Sequence, residues 1–356
     1  MKKLKVAIIG QGRSGRDIHG VFFRSAANDK YEVKYVVEAD AERRARAEKE
    51  YAGCKGLANY GELFEKDVDL VVNASYSDMH FSITKDLLEH GKNVLVEKPF
   101  ARNFYECETL INASKKSGAL LAVFQNTFYA PFYEDALKIA EEKKPLGEIK
   151  QVSIRYNAFA RRWDWQTLQK KMGGSVYNTG PHPIGLAMGF LGFSPEMKVA
   201  YSKLDTAITS GDAEDYVKII LTAPHKPVVD IEINSIDAYS DYNLKLQGTK
   251  GTMKSTPQKF ERKYIIDGEN PEKPVIEASL KDETGLPIYC TENLKMHEEK
   301  GEYQGTAFDV GTRRVYDDVY FAITEKKPLG YPPETIEKLI EIIETVHAGN
   351  PLPIKF

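Results

Sequence analysis

The chain is poor in cysteine: three in 356 residues, Cys54, Cys107 and Cys290. An odd, scattered set builds neither a disulfide framework nor a zinc site and fits reduced thiols in a cytoplasm. Long apolar runs are missing as well. Nothing approaches the roughly 20 residues that a membrane-spanning helix needs. The opening Met1-Lys2-Lys3-Leu4-Lys5-Val6 leads straight into a strand, with no apolar stretch or cleavage site of a signal peptide. No block of one charge stands out either. Lys and Arg number 49 against 52 Asp and Glu, a net charge of -3, so neither nucleic acid nor an anionic membrane is expected as a partner. Repeats and low-complexity linkers are lacking, and no His, Asp and Glu set has metal-ligand spacing, so no metal is expected.

What is present is an ordinary globular balance, 42% hydrophobic and 28% charged, in a chain too long for one core of usual size. Two domains are expected, at residues 1–125 and 126–356. The first alternates strands (6–9, 33–37, 68–73, 93–96, 119–124) with helices to about residue 27 and at 41–51, 78–90 and 103–117. Such βαβ spacing predicts a doubly wound parallel sheet of the Rossmann type. From about Gly147 the strands lengthen (149–156, 199–203, 216–221, 228–234, 244–247), which predicts an α+β domain on a large, open, mostly antiparallel sheet. Helices over 308–324 and 333–347 close the chain and are expected to pack back on the first domain. The 20 tyrosines offer aromatic faces with hydroxyl tips, although most of them belong to core or surface.

Between the first strand and first helix lies Gly10-Gln11-Gly12-Arg13-Ser14-Gly15, with Glu38 closing the next strand. Glycines there allow a tight turn and the close approach of a pyrophosphate, which sits on the helix N-terminus. A carboxylate at Glu38 would accept ribose hydroxyls and repel a 2′-phosphate, favouring NAD over NADP; Arg43 and Arg44 nearby argue the other way. Glu97-Lys98-Pro99 ends another strand. Alone it favours a snorkelling strand-end lysine. At the C-terminal edge of a parallel sheet, Lys98 instead points into the ligand crevice and can hold a substrate hydroxyl. In the second domain, Asn178 and His182 stand four apart, which on one helix places them on one face. Imidazole suits proton transfer near neutrality, and a buried, hydrogen-bonded histidine is the alternative. Both tryptophans fall in Arg161-Arg162-Trp163-Asp164-Trp165-Gln166. Trp163 and Arg162 could wall a sugar ring, or start an ordinary amphipathic helix; Tyr156 and Tyr129 are further candidates for the cleft.

In order and spacing these motifs resemble the glucose–fructose oxidoreductase / inositol dehydrogenase (Gfo/Idh/MocA) family. The run from Val68 through His80 and Gly91 to Pro99, Leu146-Gly147-Glu148-Ile149 and Gly248-Thr249-Lys250-Gly251-Thr252 resemble it too. The resemblance spans nearly the whole chain and implies an NAD(P)-dependent dehydrogenase or reductase. Its substrate would be a CH–OH group of a sugar, cyclitol or glycoside, and the enzyme a homodimer or homotetramer through the second sheet. It implies Lys98 and His182 as catalytic, with Asn178 binding substrate. Gly10, Gln11, Gly12, Arg13, Ser14, Gly15, Glu38, Ser75, His80, Glu97, Lys98 and Gln125 would lie around the cofactor. Three positions depart from the common pattern: Asn178 and Gly185 stand where aspartates are frequent, and Thr127 where many relatives carry arginine. Two other readings remain on this fold: transient oxidation by a tightly held NAD for elimination or epimerisation, and a non-catalytic NAD-binding regulator.

Overall fold

The computed structural model describes residues 2–356. Six strands form the first sheet: β1 (Leu4–Ile9), β2 (Tyr31–Val37), β3 (Lys55–Leu57), β4 (Leu70–Asn73), β5 (Val94–Glu97) and β6 (Leu121–Phe124). Their order is β3-β2-β1-β4-β5-β6, and every pairing is parallel. Helices cover both faces, so β4, β5 and β6 are buried at every residue, and their sequences run apolar instead of alternating. The order reverses between β1 and β4. A crevice opens there beyond the C-terminal strand ends, where ligands bind in open α/β sheets.

The flanking helices are α1 (Gly20–Arg24), α2 (Ala41–Glu50), α3 (His80–Glu89) and α4 (Phe104–Ser117). Asp40 caps α2 by accepting from the Arg43 amide, and Asn103 caps α4 through the Glu106 amide. Gly118, with φ 73°, ends α4 in the left-handed conformation that glycine tolerates best. A π-helical turn, Gly15–His19, precedes α1. β4 begins two residues later than the apolar run suggests, because the Asp69 carboxylate accepts the Lys5 amide at 2.7 Å.

Helix α5 (Pro131–Glu142) carries the chain to the second sheet: β7 (Ile149–Arg155), β8 (Lys198–Asp205), β9 (Tyr216–Thr222), β10 (Val228–Asn234), β11 (Leu244–Gly248), β12 (Gly251–Ser255), β13 (Lys259–Tyr264) and β14 (His297–Glu302). The order is β14-β13-β12-β11-β7-β10-β9-β8, antiparallel except where β7 meets β10. Helices α6 (Ser175–Asn178) and α7 (Pro181–Phe190) follow β7 and pack on this sheet. The last two helices, α8 (Thr312–Glu325) and α9 (Pro333–Ala348), return to the first domain. Tyr316 of α8 stacks on Phe22 at 4.5 Å between centroids, and α9 packs against α4 and α7.

Among the described residues no helix is long and apolar enough to cross a membrane. Leu339 lies fully buried in α9. Leu339→Ala should therefore cost about 2–5 kcal/mol in denaturant unfolding. Cys290→Ser, at an exposed site, should change stability by less than about 0.5 kcal/mol. A loss below about 1 kcal/mol for Leu339→Ala would contradict the docking of α9.

Candidate active site

The three glycines of the loop after β1 have different reasons to be glycine. At Gly10, with φ 88°, a Cβ would stand 2.4 Å from the Ala74 carbonyl oxygen. At Gly15 it would stand 1.9 Å from the Gly10 oxygen, so that glycine lets strand and helix approach. At Gly12 a Cβ would meet nothing within 4 Å. The chain itself leaves that space open, and it faces a cleft of about 790 Å³ lined by Gly10, Gly12, Arg13 and Ser14. A loop with no side chain at Gly12, beside open space, fits a dinucleotide pyrophosphate.

Glu38 lines the same cleft at the end of β2. Its Oε2 accepts the Gln11 amide at 2.9 Å and its Oε1 the Asp40 amide at 3.1 Å. Two backbone donors fix the carboxylate and leave lone pairs for ribose hydroxyls. Gln11 is itself buried under the loop, so its part is the amide hold on Glu38. Arg43 shares this wall of the cleft, whereas Arg44 turns back to the Glu38 carbonyl at 2.5 Å.

Deeper in, β5 ends in Glu97 and Lys98, both on the cleft wall. Glu97 is 3% exposed. One carboxylate oxygen accepts the Lys98 amide at 3.0 Å and the other meets His19 Nε2 at 3.1 Å. Burial alone would push this carboxyl up; the His19 hydrogen bond and the Lys98 charge hold it down, to about 2. Lys98 Nζ donates to the Asn178 carbonyl oxygen at 2.7 Å, joining the two domains. Lys98 is half-buried and lines the cleft. Burial lowers its pKa, Glu97 opposes that, and Arg13 and Arg162 lower it further.

His182 lines the same cleft. Its Nδ1 lies 3.2 Å from Thr127 Oγ1, and Tyr156 stacks nearly parallel to the ring, 6.5 Å between centroids. Burial, then the Lys98 charge, holds the imidazole down to about 3, so it is neutral at ordinary pH. Gly185 explains the missing aspartate. A Cβ there would lie 2.8 Å from the Phe128 ring and 3.1 Å from the Gln125 amide, so no carboxylate fits beside His182.

Several sequence expectations are corrected. Asn178 and His182 do not share one helix, because the chain turns at Thr179 and Gly180 and Pro181 starts a new one. Asn178 meets Lys98 through its carbonyl, while its side-chain oxygen accepts from Gln166 at 2.8 Å. Trp163 is 78% exposed and stands off the cleft; Trp165 lines it. Tyr129 also lies off the cleft, its hydroxyl bonded to Asp318. His80 is buried beneath the site, bridging the Pro99 carbonyl at 2.8 Å and the Ser75 carbonyl at 3.2 Å, and so braces two cleft loops. The Gln125 amide is committed to the Pro181 carbonyl, outside the lining. Ser75 lines the cleft, and Arg162 does so paired with Asp164 at 2.7 Å.

Two contacts across the mouth carry no sequence signal. Tyr76 meets Trp165 edge-on at 5.0 Å, and Asp78 pairs with Lys171 at 2.8 Å. His19 is a third omission: a lone histidine on a first helix reads as ordinary, yet it is fully buried against Glu97.

Gly12 and Gly15 separate binding from folding. Gly12→Ala should leave the melting temperature unchanged and weaken dinucleotide affinity at least tenfold in a calorimetric titration. Gly15→Ala should destabilise the fold itself. Undiminished affinity in Gly12→Ala would remove the pyrophosphate from this loop.

Comparison with known proteins agrees with this geometry. The model of the oxidoreductase family's NAD-binding Rossmann fold matches residues 4–149, and that of its C-terminal alpha/beta domain matches residues 139–347. An uncharacterized oxidoreductase of Schizosaccharomyces pombe, C115.03, is 28% identical over 266 residues, 71% of this chain and 70% of its own. The scyllo-inositol 2-dehydrogenase (NADP(+)) IolW of Bacillus subtilis is 24% identical over 53% of this chain and 52% of its own. An NAD-binding protein from Listeria innocua superposes with a TM-score of 0.79 over 98% of both chains at 21% identity, a likeness of fold. With both domain models matched across almost its whole length, the chain belongs to the Gfo/Idh/MocA family of NAD(P)-binding oxidoreductases.

Proposed function

We propose that the cleft is the active site of an NAD(P)-dependent dehydrogenase or reductase acting on a secondary alcohol of a sugar, cyclitol or glycoside. The observation that carries this reading is that Lys98 and His182 line the same cleft as the glycine loop. When bound, the nicotinamide supplies the hydride acceptor or donor.

The protein's residues handle the oxygen. Lys98 spends one of its three N–H donors on the Asn178 carbonyl, which aims the ammonium and leaves two donors for substrate. A cation at hydrogen-bond distance stabilises the alkoxide that forms as the hydroxyl proton leaves and that becomes the carbonyl once hydride is transferred. His182, kept neutral, presents Nε2 to the cleft. With Nδ1–H donating to Thr127, Nε2 accepts the hydroxyl proton in oxidation. With the Thr127 hydroxyl donating to Nδ1, Nε2–H serves the carbonyl in reduction. Tyr156 holds the ring's plane. Glu38 favours NAD, since its carboxylate would repel a 2′-phosphate.

A screen of cyclitols, aldoses, uronates and glycosides with NAD and with NADP tests this. NADH should accumulate with at least one of them, and Lys98→Ala and His182→Ala should each lower kcat/KM by about 10²–10⁴-fold. Turnover with both variants fully active contradicts the catalytic assignment. A clear preference for NADP contradicts the reading of Glu38.

A further inference from the structure

Three side chains form a buried line beneath the cleft. Tyr316 of α8 places its hydroxyl 2.7 Å from His19 Nδ1, and His19 Nε2 lies 3.1 Å from Glu97 Oε1. Tyr316 and His19 are wholly buried and Glu97 nearly so. None of the three touches a substrate-facing group other than Lys98, whose amide occupies the second Glu97 oxygen.

The hydrogen positions follow from satisfiability. An ionised Glu97 only accepts, so His19 Nε2 must carry a hydrogen. The Tyr316 hydroxyl, sealed from water, needs an acceptor, and His19 Nδ1 is its recorded partner. Tyr316 thus bonds one nitrogen of His19, and Glu97 accepts from the other. Lys98, His80 and His182 also face Glu97. Burial lowers the pKa of both histidines, and against its own burial Glu97 is held down by His19, Lys98 and His80.

We propose that His19 and Tyr316 are positioning residues that lock Glu97 as a permanent anion on the wall of the cofactor cleft, and that this charge makes the cleft bind the oxidised, cationic nicotinamide in preference to the reduced, neutral one. The proposal rests on the cofactor reading above. The physical reason is simple. Oxidised and reduced nicotinamide differ by one positive charge on the ring, and a fixed carboxylate in a low-dielectric wall senses that difference strongly. Lys98 opposes it, but its ammonium is drawn toward the Asn178 carbonyl across the cleft.

The test is the ratio of the two dissociation constants, NAD⁺ by calorimetry and NADH by fluorescence, for the full-length protein. Glu97→Gln keeps the shape and should shift the ratio at least tenfold toward NADH. His19→Leu should keep the wild-type ratio near pH 8 and lose it toward pH 5, as the buried carboxyl, deprived of its donor, takes up a proton. His19→Gln restores an N–H and should restore the pH-independent ratio. Tyr316→Phe provides a second, isosteric perturbation if His19→Leu does not fold. It should make the ratio pH-dependent in the same direction, by a smaller factor. A merely structural role for His19 would weaken both cofactor forms alike. An unchanged ratio in Glu97→Gln overturns the proposal while leaving the cofactor cleft intact. Failure of the wild-type protein to bind either form overturns the cofactor reading and the proposal with it.

Discussion

A lysine ammonium buried at a domain boundary is unfavourable unless each side answers it, and the bond from Lys98 Nζ to the Asn178 carbonyl is the contact on which this site depends. It ties the end of β5, in the parallel sheet, to the turn between α6 and α7, beside the antiparallel sheet. Glu97 answers from the other side, one residue away and itself fixed by His19. Removing either partner would leave a buried charge without compensation, which is worse than never having buried it.

The same burial shapes the histidine. With Phe128 and Gln125 filling the space beside Gly185, no carboxylate can stand behind His182, and with Lys98 close by the ring stays neutral. A neutral imidazole with a hydroxyl at Nδ1 can switch tautomer with the direction of reaction, but stabilises no charge of its own. In the proposed reaction the burden of charge falls on Lys98, and the burden of orientation on Thr127 and Tyr156.

Where a residue's position follows from local chain order, the sequence was readable. The glycine loop, Glu38 and the strand-end Glu97-Lys98 need only a strand, a turn and a helix in order, and the apolar runs supply those. The parallel sheet and its antiparallel companion follow from the same periodicities. What escaped depends on contacts distant in the chain. Trp163 and Trp165 lie two apart in an irregular segment with no period to decide between them, and only the fold turns Trp165 inward. Tyr129 is drawn off the cleft by Asp318, 189 residues later. His19 gains its meaning from Tyr316, 297 residues away, and from Glu97. The turn at Gly180-Pro181 was visible as residues, but the four-residue spacing argued for one helix, and proline won by starting another.

The central claim is that Lys98 is a cation held deep in the cleft with its acidity set by burial and by Glu97. A heteronuclear NMR titration of the Lys98 side chain tests it most directly, with the signal assigned by its loss in Lys98→Met. The account predicts a midpoint below the ordinary lysine value of about 10.4, falling further in Glu97→Gln because the carboxylate that favours the charged form is gone. A midpoint at or above about 10.4, unmoved by Glu97→Gln, would contradict it.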